Sequence, residues 1–192
     1  MSCCSYLVAI GSRHDFYRTL AMEQDLIERD RQFSEHLACS MTKLHALTLA
    51  ASTGQPEVTM DYRLETSSYA ARSGKRMFVP LTKGSPLRRS LPANDRRSLD
   101  LYLPDAYSLC DTMVVHFPTG YAVENAPMDK KIESEFGSYA LQVEKKDDQL
   151  RIIRRAEILP VSVPAARYGE VRQFYLEATK ADGAQAVLVK QD

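Results

Sequence analysis

The chain's 192 residues suit one ordinary domain or two small ones, and at that length roughly 70% of the unfolded surface can be buried without help from a disulfide or a metal. Lys+Arg and Asp+Glu both number 25, so the zero formal net charge supplies no global pull toward nucleic acid or an anionic membrane. The four cysteines, Cys3, Cys4, Cys39 and Cys110, include no C-x-x-C pair of the kind zinc or redox chemistry uses, and they read as small apolar residues.

The opening MSCCSYLVAIGS lacks a basic start. Its apolar run, Tyr6 to Ile10, is too short for a signal-peptide core of about 7–15 residues or a membrane span of about 20. Residues 1–12 are left unassigned. Over residues 14–37, Phe16, Leu20, Ile27 and Phe33 recur at helical spacing among charged residues, and no Gly or Pro intervenes. The spacing predicts one helix on a surface of the domain. After Ser40 the period changes: LHALTLAA reads as a strand, STGQP as a turn, and EVTMDYRLET as a half-buried strand. Val58, Met60, Tyr62 and Leu64 share one face of that strand. Gly74 opens a turn before RMFVPL, where Met77, Val79 and Leu81 alternate.

Residues 83–104 are rich in Pro, Ser, Arg and Asn and read as a connecting loop. Beyond it Met113, Val115 and Phe117 point one way and His116 the other. Pro118-Thr119-Gly120 suits a tight turn, and Tyr121-Ala122-Val123-Glu124 starts a return or crossing strand with Glu124 solvated. FGSYALQVEK and QLRIIRRAEIL flank KKDDQ as a β-hairpin. VPAARYGEVRQFYLEATKADG follows as a helix, with Pro164 in its first turn, a stripe through Tyr168, Val171 and Ala178, and a stop at Gly183. AVLVK closes the chain as a strand. The expected class is α+β with a β majority: antiparallel, sandwich-like strands with an N-terminal helix and a second helix near the C-terminus. The expected division is a helix plus strands over 13–82, the connection over 83–104, and a β-rich domain with one helix over 105–192.

Chemistry is harder to find. His14, His36, His45 and His116 are scattered, with no His-x-x-x-His, no H-E-x-x-H and no acidic calcium loop. Cys39 with His36 is an i, i+3 helix pair, and Cys110 lies about 20 Å along a straight strand from His116 at about 3.3 Å per residue, so neither forms a dyad without a bend. Asp147 and Asp148 belong to the hairpin turn. The eight glycines are unclustered, which leaves no phosphate-cradling loop.

The order DAYSLCDTMVVHFPTGYAVENAP, FGSYALQVE, LRIIRRAEIL, then P-x-x-x-Y-x-x-V-R-x-F-Y, an Ala-Asp turn and AVLVK resembles the carboxy-terminal domain of unknown function, with its preceding linker, of Bacteroides-type transglutaminase-like, or cysteine-protease-like, multidomain proteins. The resemblance spans roughly residues 15–190 and rests on PTGYAVENAP, on Phe136-Gly137-x-Tyr139 and on residues 164–174. It implies a non-catalytic accessory or interaction β-domain, because that family's catalytic Cys, His and Asp lie in a core absent here. It also implies a transglutaminase-like core or another envelope protein as partner and a location in the periplasm or cell envelope; no cofactor, metal, nucleic acid or membrane span is expected from the charge and motif readings above. An exposed, Tyr-lined strand edge or groove is the expected interaction surface, with Tyr121 and Tyr139 as its candidates. The alternatives are an anion or glycan site built from Arg88, Arg89, Arg96 and Arg97, or a hydrolase not evident from any motif.

Overall fold

The computed structural model describes residues 2–11, 14–36, 43–54, 57–65, 69–82, 96–104, 106–146 and 148–191. In chain order the first elements are β1 (Ser2–Gly11), α1 (His14–Met22), α2 (Leu26–His36), β2 (Lys43–Ala51), β3 (Glu57–Glu65), β4 (Ala71–Ser73) and β5 (Arg76–Pro80). Then come β6 (Leu101–Leu103), β7 (Tyr107–His116), β8 (Tyr121–Asn125), β9 (Lys130–Ser134), β10 (Gly137–Lys145) and β11 (Gln149–Ile158). The chain ends with β12 (Val161–Val163), α3 (Tyr168–Asp182) and β13 (Gln185–Lys190).

Seven strands form one antiparallel sheet in the order β2-β3-β1-β7-β11-β10-β9, four form a second in the order β4-β5-β13-β8, and β12 pairs with β6. The α+β class with a β majority is therefore observed. Alternation decides which face of the large sheet is covered. Val58, Met60 and Leu64 of β3, Met113 and Val115 of β7, Tyr139 and Leu141 of β10, and Leu150, Ile152, Ala156 and Ile158 of β11 are all buried. Their registers set Leu150 opposite Val115, Ile152 opposite Met113 and Tyr139 opposite Ala156, so they share one face. Over it pack α3, through Tyr168, Val171, Phe174 and Ala178, and the four-stranded sheet, through Met77, Val79, Ala186 and Leu188. A second cluster at the β2–β3 end joins Tyr17 and Leu20 of α1 and Phe33 of α2 to Leu47, Val58 and Met60. Each fully buried large aliphatic or aromatic side chain contributes about 1.5–3 kcal/mol, which is why these rows position everything else.

Several expectations change. The single helix over 14–37 is two. Asp25 Oδ1 accepts hydrogen bonds from the Ile27 and Glu28 amides at 2.9 and 3.2 Å, capping α2 and ending α1 without any Gly or Pro. The unassigned opening supplies β1, which is paired on both sides, with β3 and with β7. Both sheets draw strands from either side of residues 83–104, so the division into 13–82 and 105–192 is not a division of the fold. Within that connection, Leu101–Leu103 is the strand β6, with Leu101 and Leu103 buried. Among the described residues no helix is long and apolar enough to cross a membrane.

The PTG element resolves as a crossing. Gly120 has φ +81°, the Tyr121 amide reaches the Pro118 carbonyl at 3.3 Å, and β8 leaves β7's sheet to pair with β13. Glu124 is exposed, as expected, and takes a two-point hydrogen bond from Arg76 of β5 at 2.5 and 2.6 Å, across the intervening β13. That hydrogen bond holds its carboxyl below the usual range.

Candidate functional site

The motifs of the second half converge on an internal anchor. In Phe136-Gly137-x-Tyr139, Gly137 has φ +144°, and a Cβ there would meet the Glu157 carbonyl oxygen at 2.1 Å, so only glycine lets β10 lie this close to β11. Two residues on, the Tyr139 hydroxyl donates to Asp182 Oδ1 at 2.6 Å, at the last position of α3. Arg154, in the covered row of β11, donates to Asp182 at 3.2 and 3.3 Å and to Asp111 of β7 at 3.0 Å. The Thr82 hydroxyl closes the far side by donating to the Asp182 carbonyl at 2.8 Å. Burial works against the Arg154 charge, but Asp111 and then Asp182 outweigh it and hold its pKa above the ordinary value. Burial, then the Asp182 charge, pushes the Tyr139 phenol well above its usual range. These polar groups fasten the carboxy-terminal end of α3 to the sheet, and Asp182 and Arg154 are 3% and 4% exposed.

The predicted surface residues are thereby separated. Tyr139 is 1% exposed and lies beneath the surface rather than on it, because its strand row faces α3. Tyr121 is half-buried on β8, packed against the main core from the other sheet. Arg88 and Arg89, like Cys39 and Asp147, lie outside the described residues. Arg96 is exposed, whereas the Arg97 guanidinium lies over the Tyr168 ring at 5.1 Å. Cys110 is a half-buried free thiol on the face of β7 opposite the core row. Among the described residues no group of three or more His, Cys, Asp or Glu could hold a metal ion.

What the fold does assemble is a groove between α3 and β9. One part, about 660 Å³, is lined by Pro127, Met128, Lys130, Leu141, Leu176 and Lys180, with Gln173 and Glu177 along its helical wall. A second part, about 420 Å³, shares Gln173 and Glu177 and continues past Ile132, Phe136 and Phe174 to Glu133, Glu135 and Glu170. Met128 is 89% and Leu176 46% exposed, so two large apolar side chains stand at its rim. The charge changes sign along it. Lys130 and Lys180 mark the end where β9 begins and α3 finishes, Glu177 borders both parts, and Glu133, Glu135 and Glu170 gather at the opposite end. There Arg167 binds Glu170 at 2.7 Å and also pairs with Glu135, its guanidinium 5.9 Å above the Phe136 ring. The Arg167 hydrogen bond lowers the Glu170 pKa. Asp129, next to Lys130, is turned away to accept the Val143 amide at 3.0 Å.

The groove borders the last strand of the large sheet. Among the described residues nothing pairs with the outer side of β9, whose Lys130, Lys131, Glu133 and Ser134 are exposed. Charged side chains on an edge discourage indiscriminate pairing without removing the free backbone groups. The groove beside β9 is lined by Met, Leu, Lys and Glu side chains. Sequence patterning misses β9 because KKIES does not alternate in hydrophobicity. The available signal was Leu176, an apolar residue off the predicted stripe of α3.

A family model described as "Domain of Unknown Function with solved-structure structure (DUF3858)" matches residues 75–188, more than half of the chain. Among solved structures, a crystal structure from Parabacteroides distasonis described as a "putative protease" aligns with a TM-score of 0.44 at 21% sequence identity. The alignment covers 50% of this chain and 19% of that one, so the chain spans only a small part of the length of that protein. Comparison with curated proteins finds no match.

Proposed function

The chain belongs to the DUF3858 family, and from that premise we propose that it is a non-catalytic accessory module, one that holds an extended segment of a transglutaminase-like protein in the groove between α3 and β9. The single observation carrying this reading is the coincidence of a sheet edge unpaired among the described residues with a groove that has Met128 and Leu176 at its rim. An extended chain laid along β9 gains main-chain hydrogen bonds from the edge and buries alternate side chains against the helix. The five residues of β9 offer about 17 Å of edge at about 3.4 Å per residue. The anchor of Tyr139, Asp182 and Arg154 serves the same end, since it fixes the helix that forms one wall. The transglutaminase-like character of the partner and an envelope location rest on the resemblance of the PTGYAVENAP and FGSY elements.

The test is photocrosslinking in cells from a reactive residue placed at Leu176, with the same residue at Ile27 as control. Ile27 is 84% exposed on α2, at the β2–β3 end of the sheet and away from β9. Position 176 is expected to crosslink to a transglutaminase-like sequence while position 27 does not. Equal crosslinking from both positions contradicts the proposal.

A further inference from the structure

The groove carries information about what it holds. We infer, resting on the reading just given, that the captured segment adds antiparallel to β9 and carries, from its amino to its carboxy end, a basic, an apolar and an acidic side chain at alternate positions. Direction comes from the sheet: β9 pairs antiparallel with β10, as do all the neighbouring pairs of the seven-stranded sheet, and antiparallel pairing is slightly the more stable per residue. A new strand on the outer side of β9 then begins near Ser134 and ends near Lys130.

The order of side chains follows from the two rows of β9. Register sets Lys130 opposite Leu141 and Ile132 opposite Tyr139, so Lys130, Ile132 and Ser134 form the row that faces α3. An incoming residue beside Ser134 meets Glu135 and Glu170, which share the single cation Arg167 and so keep one net negative charge that favours a Lys or Arg. Two positions on, the neighbour of Ile132 lies where the two parts of the groove meet, with Phe174 and Leu176 as its apolar contacts beside Gln173 and Glu177. Two further on, the neighbour of Lys130 meets Lys130 and Lys180, which outnumber Glu177 on that wall and favour an Asp or Glu. The ligand class is therefore an extended peptide of the form basic-x-apolar-x-acidic. Reversing it places like charges together at both ends, and such repulsion is how strand partners are discriminated.

Two fluorescent peptides of identical composition test this, one carrying Arg-Thr-Leu-Thr-Glu and the other Glu-Thr-Leu-Thr-Arg, each flanked by Gly-Ser and titrated against the whole chain by anisotropy. The first is expected to bind roughly five- to ten-fold tighter, with the difference shrinking as salt is raised. In the double variant Lys130→Glu, Lys180→Glu, both at exposed positions, that preference is expected to vanish. Equal binding, or tighter binding of the second peptide, overturns the charge order while leaving the groove as a binding site. Binding of neither peptide overturns the inference, and crosslinking from position 176 then decides separately whether the groove reading stands.

Discussion

At the scale of single residues, the Phe136-Gly137-x-Tyr139 element acts through sterics and burial. Gly137 is the sharpest case, since its φ and the 2.1 Å approach of the Glu157 carbonyl both forbid a side chain. Gly137→Ala is expected to destabilise the protein by roughly 2–4 kcal/mol in denaturant titration, combining backbone strain with displacement of β11. Tyr139→Phe removes a buried donor to a carboxylate and is expected to cost about 1–3 kcal/mol. That gap should depend on pH in one direction. The fold holds the Tyr139 phenol neutral by raising its pKa above the ordinary tyrosine value of 10.0, so its contribution is complete below that pH and is lost as pH climbs beyond it. The stability difference between wild type and Tyr139→Phe should therefore be constant from neutrality to about pH 9 and narrow above about pH 10. The FGSY string was legible as a motif, but Tyr139's place was not. Alternation groups Tyr139 with Leu141 without saying which face α3 covers, and the Asp182 that receives its hydroxyl is 43 residues away.

At the scale of elements, the strongly periodic pieces were readable: β3, the β10–β11 hairpin, α3 and β13 fall where alternation, turn residues and helical spacing put them. Helical spacing runs straight through the break between α1 and α2, which no Gly or Pro marks. Asp25, three residues before Glu28, was the relevant signal, an N-cap followed by an acidic residue in the first turn. Asp25→Ala is expected to cost about 1 kcal/mol of stability, read as a shift of the denaturation midpoint at unchanged slope. The short strands β4, β6, β9 and β12 have no pattern of their own. They exist because a neighbour supplies the ladder, as β10 does for β9 and β12 for β6.

At the scale of the whole molecule, the Pro- and Ser-rich composition of residues 83–104 suggested a boundary that the sheets do not respect. Composition reports that a segment lacks periodicity, and says nothing of which strands pair across it. β7 lies between β1 and β11, and β13 between β5 and β8, so each sheet needs both halves of the chain. Residues 105–192 produced alone are accordingly expected to give a collapsed amide NMR spectrum, whereas the whole chain unfolds in one cooperative step. The same mixing places the groove where no stretch of sequence could reveal it, since β9 and α3 are separated by the β10–β11 hairpin and meet only after the sheet forms. The most direct measurement of the central claim is hydrogen exchange across the whole chain with and without the Arg-Thr-Leu-Thr-Glu peptide. Slowed exchange at alternate amides of Lys130–Ser134, with the opposite edge at β2 unchanged, is the predicted result. Binding that leaves the β9 amides exchanging as before would contradict strand addition at this edge.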